Sequence, residues 1–128
     1  MWTEELENPK ALEMFMPEPS LEGIIMNSIS LERNGPTVTM SIQAREYPAN
    51  PPAKWRLQEH NAVTIELQAM GVELFEIHGW TTENLVSIWI DRLPSRKLDI
   101  RASGAATDVK LRCGWLRIVG VTPYHRES

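Results

Sequence analysis

The chain has a single cysteine, Cys113, only three histidines, and no uninterrupted apolar run longer than a few residues. One cysteine excludes an internal disulfide, so packing alone holds the fold, and it suits a reducing compartment. It stands in the alternating stretch "DVKLRC", where a small core residue is the plainer reading than a nucleophile. Apolar runs this short fall far below the roughly 20 residues that a membrane-spanning helix needs. The opening "MWTEELENPK" is acidic where a secretory signal is basic, and no apolar segment follows it. A cytoplasmic location away from the membrane is expected. Also missing are a glycine-rich phosphate loop, a paired-cysteine metal pattern and a nucleophile elbow. Glu76 and His78 lie two residues apart on one strand face, but the sequence sets no third ligand beside them. A polar strand face is the simpler reading. No enzyme, cofactor or metal site is expected.

The net charge of −4 conceals an asymmetry: residues 1–32 carry −6, residues 33–91 carry −3, and residues 92–128 carry +5. Acidic surfaces steer toward basic partners and away from nucleic acid, whose binders are usually strongly basic. No nucleic-acid partner is expected. A length of 128 residues with 42% hydrophobic and 23% charged residues suits one ordered domain, residues 1–128.

What the chain does have is period-two patterning. "IIMNSISLERNGPTVTMSIQA" reads as a hairpin about Asn34-Gly35, with Leu31 opposite Val38, Ile29 opposite Met40 and Ile25 opposite Ala44 on one buried face. Pro36 lacks the N–H of a two-residue turn, which predicts a four-residue loop at 33–36. "AVTIELQA" alternates through Val63, Ile65, Leu67 and Ala69, and "LVSIWIDR" through Val86, Ile88 and Ile90. "VELFEIHGW" is irregular, with Val72 and Leu74 on one face and Phe75 and Ile77 on the other. That predicts a bulge near 74–75 or burial on both sides. "KLDIRA" and "DVKLRC" pair as a second hairpin, where charge matching favours Arg101 opposite Asp108 and Asp99 opposite Lys110. This register would leave a small basic spot at Lys97 and Arg112.

The N-terminus supplies one helix, at about 9–16. Asn8 is a natural cap, Pro9 suits the first turn, and Leu12, Phe15 and Met16 form a stripe that must lie against a sheet. The expected fold is mainly β: an antiparallel sandwich, open barrel or meander of seven to eight strands with one short N-terminal helix. "EYPANPPAKWRLQEHN" (46–61) holds three of the nine prolines and interrupts the strands. It reads as an ordered non-strand segment with Trp55 packed on a sheet edge and Lys54 in solvent. Five of the nine aromatic residues (Phe, Trp and Tyr) are tryptophans. Trp55, Trp80 and Trp89, with Lys54, are the candidate contacts to a partner.

The segments "NPKALEMF", "ISLERNGPTVTMSI", "YPANPPAKW" and "VTIELQAMGVELFEIHGW", in this order, resemble the Immunity protein 50 family of bacterial polymorphic-toxin systems. The resemblance runs from about residue 8 to residue 124. It implies a small non-enzymatic protein that binds and neutralises a cognate toxin, encoded by a neighbouring gene, without a cofactor. Two rival readings are a β-rich interaction module unrelated to toxins and a small-ligand barrel whose mouth carries Glu76 and His78.

Overall fold

The computed structural model describes residues 1–127, and its regular structure is mainly antiparallel strand. They are β1 (Ile24–Glu32), β2 (Thr37–Gln43), β3 (Ala62–Met70), β4 (Leu74–His78), β5 (Asn84–Arg92), β6 (Leu98–Ser103), β7 (Asp108–Cys113) and β8 (Trp115–Tyr124). Their order, β4-β7-β6-β5-β1-β2-β3-β8, is one eight-stranded sheet. The mainly β class expected from the alternation therefore stands.

The sheet bends at one strand. Asn84–Val86 of β5 pair with β1, while Ser87–Arg92 pair with β6. One half, β1-β2-β3-β8, and the other, β5-β6-β7-β4, bury their apolar faces in a shared core. Met40, Ile42, Ile65, Leu67 and Leu116 come from the first half; Leu98, Ile100, Val109 and Leu111 come from the second. A bent sheet of this kind is the open form of a sandwich, with an edge strand, β8 or β4, at each end.

Two short helices cover the molecule at one side. α1 (Lys10–Glu13) is shorter than the periodicity predicts, but Leu12 and Met16 are buried as expected. Asn8 does not cap it. Its amide instead brackets Ile118 of β8, donating to the carbonyl at 2.8 Å and accepting from the N–H at 2.8 Å. The side chain imitates a paired strand residue, which satisfies more edge groups than a cap would. α2 (Ala53–Leu57) forms within the proline-rich segment, and its Trp55 is only 8% exposed. The indole stacks on Phe15 with ring centroids 5.1 Å apart and meets Tyr47 at 6.2 Å. Lys54 stays in solvent.

Three further details differ from the sequence reading. First, the 33–36 loop and the pairs Leu31–Val38 and Ile29–Met40 occur as expected, but a bulge at Asn27 shifts the rest. Ile25 therefore lies opposite Gln43, not Ala44, and Ile24 and Met26 take the buried face. Second, β4 has no bulge: it pairs with β7 in unbroken register from Leu74–Arg112 to His78–Asp108. The irregular pattern marks the crossing from one half-sheet to the other between β3 and β4. Third, the β6–β7 register is not the one charge matching favours. Ser103 lies opposite Asp108, Arg101 opposite Lys110, and Asp99 opposite Arg112.

The turn explains this register. A Cβ on Gly104 would lie 1.9 Å from the Leu85 carbonyl oxygen, so only glycine fits so close to β5. Thr107 donates its hydroxyl to buried Asn84 of β5 at 2.8 Å. These two contacts pin a four-residue turn and with it the strand alignment. The electrostatic cost is small because long side chains reach diagonally. Arg112 holds Asp99 through two bonds, at 2.7 and 3.1 Å, and Arg101 reaches Asp108 at 3.2 Å. Lys97 pairs with Glu73 at 2.6 Å. The basic spot expected at Lys97 and Arg112 is thus neutralised, and two like charges meet at Arg101 and Lys110 instead.

Candidate functional site

Directly opposed residues of a ladder share a face, so the register identifies which side chains point inward. Ile29 and Leu31 oppose Met40 and Val38, both buried. Phe75 and Ile77 oppose Leu111 and Val109, also buried. All four therefore face the core. Yet Leu31 is 59% exposed and Ile77 41% exposed, while Ile29 and Phe75 are only partly covered. The two half-sheets part here because β1 leaves β5 after Met26 and continues with β2 alone.

The result is an open mouth in the sandwich. A depression of ≈ 360 Å³ is lined by Asn27, Ser28, Ile29, Leu31, Phe75, Ile77 and Trp80. A second, also ≈ 360 Å³, continues it toward the 33–36 loop and shares Leu31 and Phe75. Trp80, 44% exposed, stands at the rim. Its position depends on Gly79, whose φ is +79°; a Cβ there would lie 2.0 Å from the Ala106 carbonyl oxygen. These core-facing side chains form an exposed apolar patch between the half-sheets.

The outer face of the β4 half-sheet is different in character. Across the strands one row reads Glu76, Lys110, Arg101, Trp89, and the next reads Leu74, Arg112, Asp99, Asp91. A shallow hollow of ≈ 380 Å³ lies among most of these residues. The hydrogen bond from Arg112 holds the Asp99 carboxyl below its usual value, and the same contact raises the guanidinium. Trp89 is 53% exposed at the end of its row. Burial pushes the Cys113 thiol up to about 11, which suits an inert core residue.

Among the candidate contacts, Trp80 lies at the mouth and Trp89 on the outer face. Lys54 is exposed on α2, away from both, and the Trp55 ring is committed to packing on Phe15. The structure thus does not bring the four together. Sequence reasoning missed Ile29, Leu31, Phe75 and Ile77, since alternation marks them as core. The signal for the last two was present in "VELFEIHGW", whose apolar residues fall on both faces. Glu76 and His78 point outward beside Lys110 and Asp108, so they do not line the mouth. Among the described residues, no group of three or more His, Cys, Asp or Glu is placed to hold a metal ion. No described helix is long and apolar enough to cross a membrane.

No curated protein and no solved structure matches the chain. A family model does: that of Immunity protein 50, over residues 8–124. The match takes in α1, α2 and all eight strands, the mouth with its β1 and β4 walls included. The chain therefore belongs to the Immunity protein 50 family.

Proposed function

We propose that the protein binds a cognate bacterial toxin and neutralises it by contact alone, with the mouth between β1 and β4 as the contact surface. The observation that carries this reading is the pair of half-sheets whose core-facing apolar side chains lie open on one side only. An inhibitor that acts by covering its target needs a rigid scaffold with an unfilled apolar anchor point. Trp80 at the rim is the leading aromatic contact, Trp89 an outer-face contact, and Lys54 on its Trp55-braced helix a peripheral one. The toxin is proposed to be encoded beside this chain and to meet it in the cytoplasm. Immunity requires no chemistry, so the protein is proposed not to be an enzyme.

The test is co-expression with the toxic domain encoded by the adjacent gene, scored by growth rescue and co-purification. Wild-type protein is expected to rescue and to co-purify, and Trp80→Ala to weaken both. A soluble wild-type protein that neither rescues nor co-purifies defeats the proposal. The apolar lining and ≈ 360 Å³ volume of the mouth also suit a small apolar ligand. Mass spectrometry of the native protein with a bound small molecule, and no toxin binding, would favour that reading instead.

A further inference from the structure

We infer that the free edge of β4 takes an extended segment of the toxin as an added strand, one whose side chains alternate between apolar and basic. This rests on the toxin-binding reading above and specifies its mode. β4 is the last strand of its half-sheet and pairs with β7 alone. One row of its N–H and C=O groups therefore faces away from the ladder, the template for strand addition. Apart from the charge of Glu76, the common defences of an edge are missing from this strand. "LFEIH" has no proline, no lysine and no bulge, and its five residues match a typical short strand.

The side chains specify what fits. On an added strand, inward residues would extend the row of Phe75 and Ile77 over the mouth, where Leu31 and Trp80 are exposed. Those positions call for apolar groups. Outward residues would continue the row Glu76, Lys110, Arg101, and the group beside Glu76 would face an exposed carboxylate with no ion pair among the described residues. That position calls for lysine or arginine, since opposite charges across a ladder stabilise it and like charges do not. The same carboxylate argues against a second copy of this chain. An antiparallel pairing of β4 with itself over its full length centres on Glu76 and sets two carboxylates directly opposite one another.

The experiment uses the full chain and a catalytically inactive form of the toxic domain encoded beside it, with backbone amide exchange read residue by residue. On complex formation, the β4 amides not bonded to β7 are expected to slow by about tenfold or more, as paired strand amides do. Glu76→Lys is expected to weaken binding by about tenfold, Glu76→Gln by less, and the remote Glu13→Lys by under about twofold. Rescue and binding that persist with β4 exchange unchanged would overturn strand addition while leaving the toxin-binding reading intact. Slowed β4 exchange in the protein alone, together with a dimer in solution, would assign the edge to a second copy and overturn the inference. Failure of the wild-type chain to bind would overturn both readings at once.

Discussion

The two ends of the bent sheet are treated in opposite ways. At β8 the N-terminal segment lies along the edge: the Glu7 N–H donates to Leu116 at 2.8 Å and the Asn8 amide brackets Ile118. The strand itself carries a bulge at Val119 and a proline at 123, both of which discourage further pairing. At β4 nothing covers the edge among the described residues, and the neighbouring core-facing side chains lie open. The same chain thus closes one edge by several devices and leaves the other bare. The bare edge is the one that the proposed strand addition would use.

If that contrast is right, substitutions on the closed side should cost stability and leave binding alone. The largest effects are expected at Trp55 and Leu12. Trp55→Ala removes the ring that joins α2 to Phe15 and is expected to cost about 3–5 kcal/mol; Leu12→Ala is expected to cost about 2–5 kcal/mol. Denaturant titration measures both. A Trp55→Ala protein that keeps its midpoint but loses the toxin would reverse the roles assigned to the two sides. Next comes Asn8→Ala, expected to cost about 1–3 kcal/mol because two backbone groups of β8 lose their partner. It should also add concentration-dependent association, visible by light scattering, as the β8 edge is uncovered. On the open side, Leu31→Ser and Ile77→Ser are expected to change stability by about 0.5 kcal/mol or less. A loss of several kcal/mol at either would show that the mouth is closed core.

A separate effect concerns pH. The Cys113 thiol is raised from 9.0 to about 11, so the unfolded chain loses this proton first as pH rises. The contribution is fully present below pH 9 and is lost as pH rises toward 11. Stability should therefore decline across that window in the wild type and less so in Cys113→Ala, and alkylation of the thiol at pH 8 should require unfolding. Rapid alkylation of the folded protein would place Cys113 at a more open site than its buried position on β7 indicates.

Much of this contrast was legible where the deciding contacts are local. The alternation of Val38, Met40 and Ile42, and of Val63, Ile65 and Leu67, identified buried faces because period two is a property of the strand itself. The stripe of Leu12 and Met16 was legible for the same reason. Register was less accessible. The bulge at Asn27 left no mark in "IIMNSIS", which alternates acceptably in either phase, and the β6–β7 alignment depends on Gly104 and Thr107 meeting β5. The mouth was the least legible part of all. Leu31 and Ile77 have the sequence pattern of core residues and do face the core; only the parting of β1 from β5, a tertiary event, exposes them. The resemblance in "NGPTV" and "PPAKW" pointed to the family but not to the surface, since those stretches form a turn and a packed helix.

The most direct test compares the two edges in one binding measurement. Calorimetric titration of the inactive toxic domain would be run against Ile77→Lys at the mouth and Val119→Lys in the exposed β8 bulge. Ile77→Lys is expected to weaken binding by about a hundredfold, as burial of an unpaired charge at an anchor would, while Val119→Lys stays within about twofold. Both proteins should keep wild-type circular dichroism. A folded Ile77→Lys protein that binds like the wild type, beside a Val119→Lys protein that does not, would rule out the mouth and move the toxin to the covered β8 edge.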